Sequence, residues 1–182
     1  QSNEPLRDKK IFEKIEKISS IETVVDIHMN TNGVLLNKKN SEKLLSSNLT
    51  RLLIGFDGFS KEIYEKVRER ADYDQVMNNI INFLEMKKSM KRVFPVTRMS
   101  FVKTSENEHE ISKWLDFWKE KVDYLTIQEF ESPVTDQSKS HLIPKTSKRV
   151  KVNPDEIICT QPSERITIRG DGSVIPCCSH IA

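Results

Sequence analysis

All three cysteines of this 182-residue chain, Cys159, Cys177 and Cys178, lie in one late stretch, "CTQPSERITIRGDGSVIPCC". Thiolates are the ligands of iron–sulfur clusters and of structural zinc. Twelve residues, Gly172 and four more residues separate Cys159 from Cys177. Within that interval "RITIRGDGSVIP" reads as strand, glycine-rich turn and strand. A β-hairpin turned at Gly170-Asp171-Gly172 brings two thiolates together. Cys178 is the alternative to Cys177 as second ligand, since alternation along a strand turns neighbours to opposite faces. His180 is a further candidate beside them. Adjacent cysteines make a strained disulfide, and an odd number does not fit a secreted disulfide framework. A reducing compartment, the cytoplasm, suits metal-seeking thiols better.

Upstream the chain alternates helix and strand signals. "RDKKIFEKIEKIS" (7–19) places Ile11, Phe12, Ile15 and Ile18 on one helical face. "TVVDIHMNT" (23–31) reads as a strand closing on Asn32-Gly33. "NSEKLLSS" (40–47) reads as a short helix capped by Asn40 or Ser41, and "RLLIGF" (51–56) as a buried strand before Asp57-Gly58. Ser60 is a suitable N-cap for a helix over 60–70. A longer amphipathic helix over 73–90 turns Val76, Ile80, Phe83 and Leu84 inward. A strand over 94–102, a helix over 106–121 burying Ile111, Trp114, Leu115 and Trp118, and a strand over 122–130 complete the series.

Strands separated by helices imply βα units and a parallel sheet, hence an α/β fold. Residues 1–130 form this domain. Residues 131–156, with three prolines and no apolar period, read as a linker, and 157–182 carry the hairpin and cysteines. Ligands of parallel sheets gather at the carboxyl ends of the strands. The polar residues there are Thr31, Asn32 and Gly33, then Asp57 and Gly58, then Lys103 and Thr104, then Gln128, Glu129 and Glu131, with Arg98 inside the third strand.

Twenty-nine Lys and Arg against 27 Asp and Glu leave a net charge of +2. No strong field points to nucleic acid or an anionic membrane as partner. No apolar stretch approaches the roughly 18 residues of a membrane span, and the first residues carry no signal-peptide pattern.

Four motifs, in order, resemble those of radical S-adenosylmethionine (SAM) enzymes that carry a C-terminal SPASM iron–sulfur region. "NEPL" (3–6) resembles the family's Gly-Glu-Pro loop, and "MNTNGVLL" (29–36) its Thr-Asn-Gly strand end. "IGFDGFSKEIYEKVR" (54–68) resembles its Ser-x-Asp-Gly strand end and following helix, with matching spacing to Tyr64 and Arg68. The cysteine stretch resembles the opening of a SPASM region. The resemblance implies a partial parallel (β/α) barrel with a C-terminal hairpin. It also implies a [4Fe–4S] cluster held by a CxxxCxxC loop, an external electron donor, and cleavage of SAM to a 5′-deoxyadenosyl radical. That radical would take hydrogen from a peptide, sugar or other small molecule. By position, Asn3, Glu4 and Pro5 would hold the cofactor's amino end, and Thr31, Asn32 and Gly33 belong to the same cofactor-binding set. Arg98 could pair with its carboxylate, and Asp57 would lie near its ribose or carboxylate. Cys159 and Cys177 would be the first ligands of an auxiliary cluster.

The departures are specific. No CxxxCxxC occurs in the chain, position 3 is Asn where the family usually has Gly, and position 55 is Gly where Ser would often meet the cofactor. A start without methionine favours a fragment, inactive alone; a degenerate member that binds a cluster or zinc without catalysis is the rival. A fragment would leave the edge of the strand over 23–31 open and prone to dimerise.

Overall fold

The computed structural model of the chain describes residues 4–130, 141–147, 160, 167–168 and 173–175. The chain divides into two units, residues 1–147 and 148–182. In the first, β1 (His28–Thr31), β2 (Arg51–Gly55), β3 (Val96–Lys103) and β4 (Tyr124–Glu129) form one sheet in sequence order. Every pairing is parallel. The crossovers carry α2 (Lys38–Ser46), then α3 (Lys61–Val67) with α4 (Tyr73–Ser89), then α5 (Ile111–Trp118); α1 (Ile11–Ser19) precedes β1. Sequential strand order with successive crossovers of one hand keeps the helices on one face, as in the wall of a (β/α) barrel. The expected α/β parallel architecture is therefore what the chain adopts.

One core holds the unit together. Met29, Leu52, Ile54, Phe56, Met99 and Phe101 from the strands bury against Leu44, Leu45, Tyr64, Val76, Ile80, Phe83, Trp114 and Trp118. The Trp114 indole N–H donates to the Phe56 carbonyl at 2.9 Å, whereas the equally buried Trp118 indole N–H has no partner among the described residues. The opposite face carries His28, Asn30, Arg51, Arg98 and Tyr124, all exposed.

Local chemistry sets the element ends. Asn37, not Asn40 or Ser41, caps α2 by accepting from the Asn40 N–H at 3.0 Å. Ser60 caps α3 as its type suggests, and Asp72 caps α4. β1 is shorter than the 23–31 reading because β2 begins only at Arg51, opposite His28, so residues before 28 have no ladder to join. The helix expected from residue 7 starts at Ile11. Pro5–Arg7 form a 3-10 turn, and the Asp8 carboxylate accepts from the Lys10 N–H at 2.9 Å. Ile18, placed on the packed face by its spacing, is exposed, while Leu84 is only partly buried. The 106–121 segment divides into a 3-10 turn (Glu108–Glu110) and α5.

Residues 141–147, expected within the linker, pack in the first unit: the Ser105 N–H donates to Leu142 O at 3.0 Å and the Thr146 hydroxyl to Glu108. In the second unit β5 (Thr167–Ile168) pairs antiparallel with β6 (Val174–Ile175), as a hairpin requires. Among the described residues no helix is long and apolar enough to cross a membrane.

Candidate functional site

At the carboxyl ends of the strands the sequence places carboxylates and amides next to backbone donors. Glu4 is one of these. Its carboxylate accepts from the Thr31 hydroxyl at 2.8 Å, the Asn32 N–H at 2.8 Å and the Leu6 N–H at 3.3 Å. Glu4 and Pro5 are thereby locked to the end of β1. Gly33 follows with φ +78°, a conformation that glycine adopts without Cβ strain. An added Cβ would also come within 3.0 Å of Val76 Cγ1. Asn79 fixes the turn from α4 by donating to Gly33 O and Val34 O at 3.1 and 3.0 Å.

A second clamp follows β2. Asp57 is 3% exposed. Its Oδ2 accepts from Arg68 Nε at 2.6 Å and Nη2 at 2.5 Å, and its Oδ1 from the Val102 N–H at 2.8 Å. Both oxygens are thus engaged within the protein, and Asp57 acts by holding Arg68. Asn107, fully buried, ties the same loops by donating to Asp57 O and Val102 O and accepting from the Thr104 N–H and hydroxyl. The buried Glu110 carboxylate accepts from the Phe59 and Ser60 N–H groups at the start of α3, the closest at 2.6 Å. Gly58 allows this packing, because a Cβ there would meet Tyr64 backbone atoms at 2.7 Å. Burial pushes the Tyr64 phenol up to about 12, with Arg68 opposing and Asp57 adding to the rise. It stays a neutral phenol at physiological pH.

These clamps surround an open cleft of about 950 Å³, whose lining includes Asn32, Asp57, Arg68, Val102 and Thr104. That size lies in the range of about 300–1,000 Å³ typical of small-ligand sites. Glu4, Thr31, Asn32, Gly33 and Asp57 therefore gather at one end of the sheet. Arg98 does not join them. It is in register with Leu53 and Tyr124, one position below the Thr31 level, and its Nε donates to Thr126 Oγ1 at 2.6 Å. It lines a separate concavity with His28, Arg51 and Phe94. Lys103 pairs with Glu129 at 2.5 Å across β3 and β4. Asn3, Glu131, Cys159, Cys177, Cys178 and His180 lie outside the described residues.

Sequence reasoning passed over Asn107 and Glu110, and named Arg68 for its spacing alone, without a partner or a role in the site. For Arg68 a signal existed: eleven residues after Asp57, it sits at the end of α3, which folds back over β2.

Residues 1–117 match the family model of the radical SAM superfamily, and the chain belongs to that family. It is 29% identical over 157 residues to a probable GTP 3′,8-cyclase of Methanocaldococcus jannaschii, covering 85% of this chain and 50% of that protein. It is 26% identical over 208 residues to the GTP 3′,8-cyclase of Alkaliphilus metalliredigens, covering 96% of this chain and 62% of the relative. The chain thus spans about half the length of the curated relatives it matches. Its fold is similar to that of Streptococcus suis SuiB bound to S-adenosylmethionine, with TM-score 0.59 and 15% identity over 80% of this chain and 31% of SuiB. SuiB bound to the precursor peptide SuiA gives TM-score 0.57 and 16% identity over 80% of this chain and 30% of that one.

The family implies two groups, SAM and an iron–sulfur cluster. The carboxyl-end cleft fits the first: it has the volume, an anchored guanidinium, and a strand end without a side chain at Gly55. For the second, no three His, Cys, Asp or Glu among the described residues stand close enough to hold a metal ion.

Proposed function

We propose that this chain is the SAM-binding part of a radical SAM enzyme, an oxidoreductase or maturase, that modifies a small molecule or a peptide. The observation that carries the proposal is the Glu4 clamp: one carboxylate joins the Glu-Pro loop to the Thr-Asn-Gly strand end, inside the stretch that matches the family. Asn3, Glu4 and Pro5 would hold the cofactor's amino group, with Thr31, Asn32 and Gly33 forming the wall beside it. Asp57 contributes through Arg68. Arg98, lower on the open face, is the guanidinium nearer to where a substrate in the barrel would lie. When bound with a reduced [4Fe–4S] cluster, SAM supplies hydrogen-atom abstraction. The chain's own part is to orient the cofactor and keep the strand ends rigid.

Two substrate classes are supported by likeness: a purine nucleotide, from relatives named GTP 3′,8-cyclase, and a peptide, from the neighbour bound to a precursor peptide. Cys159 and Cys177 would ligate an auxiliary SPASM-type cluster, which suits a cytoplasmic protein served by an external electron donor. Among the described residues β1 pairs with β2 alone, leaving its outer edge open, so a dimer through that strand belongs to the proposal. A second reading, a non-catalytic cluster or zinc module, is favoured by the clustering of all three cysteines in one stretch.

The test is anaerobic reconstitution with iron and sulfide of this chain and of the product of its complete reading frame, followed by assay of iron, acid-labile sulfide and, for the latter, 5′-deoxyadenosine. Deoxyadenosine release that depends on reductant is the expected result. Metal bound without SAM cleavage would overturn the enzyme reading and leave the binding module. Light scattering tests the dimer, and a strict monomer at high concentration would count against it.

A further inference from the structure

We infer that residues 141–147 form a strap that gates the carboxyl-end cleft, unlatching from the loop after β3 while the buried clamps stay shut; the inference rests on the SAM reading above. The loop over 104–110 carries the geometry, and its residues divide by direction. Asn107 and Glu110 are buried and bolt the loop inward, to the ends of β2 and β3 and to the start of α3. Ser105 and Glu108 hold the strap instead. The Ser105 N–H donates to Leu142 O at 3.0 Å and its hydroxyl to His141 O at 2.7 Å. The Glu108 carboxylate accepts from the Lys145 and Thr146 N–H groups at 3.2 and 3.3 Å and from the Thr146 hydroxyl. Lys103 Nζ adds a bond to Thr146 Oγ1 at 3.3 Å. One fixed base thus grips the strap near both of its ends.

The strap is a wall of the cleft. His141 and Leu142 line it, along with Thr104 and the residues at the end of α3. Its hold differs in kind from that of the clamps. The bonds made to it by Lys103, Glu108 and the Ser105 hydroxyl are all solvent-exposed. Pro144 is its one buried residue, and no apolar side chain of the strap joins the main core. Exposed polar bonds contribute little and open locally, whereas buried, satisfied ones open with the fold. A wall held by weak bonds, hung on a loop that buried bonds keep still, can swing without disturbing the strand ends. That is the arrangement of a gate, with Glu108 as its latch and positioning residue.

Two measurements on the full chain test this. Amide hydrogen exchange by NMR reads the strap through the Ser105, Lys145 and Thr146 N–H groups, and the clamps through those of Phe59, Val102 and Thr104. Surface plasmon resonance with S-adenosylhomocysteine reads passage into the cleft. In wild-type protein the strap amides should exchange about 100-fold faster than the clamp amides, or more. Glu108→Ala should raise strap exchange about tenfold and leave the clamp amides and Tm where they were. The same variant should raise the association and dissociation rates of S-adenosylhomocysteine together, about tenfold each, with Kd unchanged. Thr146→Val, which removes only a hydroxyl, should move both readouts the same way by less. Strap amides that exchange no faster than the clamps overturn the gate, since the strap would then open only with the fold. Faster strap exchange with unchanged binding rates overturns it too, leaving a loose edge beside the cleft. A rise in dissociation alone also overturns it, because the strap would then be a fixed contact of the ligand. Protein that binds no S-adenosylhomocysteine refutes the SAM reading itself and the gate with it.

Discussion

The two ends of the parallel sheet are both tied by carboxylates, but in different surroundings. At the amino end, Asp26 accepts from Thr50 and pairs with Arg51, and Asp123 accepts from Thr97 and Lys87. Both of these carboxylates are well exposed. At the carboxyl end, Asp57, Asn107 and Glu110 are buried and their bonds run to backbone groups of neighbouring loops. Solvated clamps are worth little and bend easily; buried, satisfied ones fix atoms in place. The difference teaches where this fold spends its costly polar burial, namely around the cleft where a ligand must be held still.

Substitutions should expose the contrast, and thermal or urea unfolding would measure it. Asp57→Ala strands Arg68 and the Val102 N–H and should cost about 3 kcal/mol, the low end for a broken buried pair because Arg68 is partly solvated. Glu110→Ala leaves the Phe59 and Ser60 N–H groups without their acceptor and should cost about 2 kcal/mol. Gly33→Ala, forced to φ +78° against Val76, should cost about 1–2 kcal/mol. At the amino end Asp123→Asn should cost only about 0.5 kcal/mol after solvent screening. Burial tends to raise the Asp123 pKa, but Lys87 and Thr97 together hold it below the usual value. The Asp123 contribution is therefore complete at neutral pH and fades as the pH falls through about 4 and lower. An Asp57→Ala loss no larger than that of Asp123→Asn would erase the contrast.

Much of this was legible in the residues. The four strands, their parallel order and the Ser60 cap follow from period, turn residues and cap chemistry that act locally. The length of β1 was not, because it depends on where β2 begins rather than on the residues 23–27 themselves. Of the residues that gather at the carboxyl end, Thr31, Asn32 and Gly33 were legible through their place at a strand end, and Glu4 only through the resemblance of its loop. The role of Asp57 was not: its partner Arg68 is reached only once α3 folds back over Gly55. Arg98 was the natural candidate for a carboxylate by type; in the structure it is in register with Leu53 and its Nε donates to Thr126 Oγ1.

The most direct measurement is a titration of the isotope-labelled protein with S-adenosylmethionine, following backbone amide shifts by NMR. Shifts confined to residues 3–6, 31–34, 55–58, 68 and 102–107 are the result expected if the carboxyl-end clamps form the cofactor site. Shifts centred instead on His28, Arg51, Val96, Arg98 and Tyr124 would contradict it and move the ligand to the amino end.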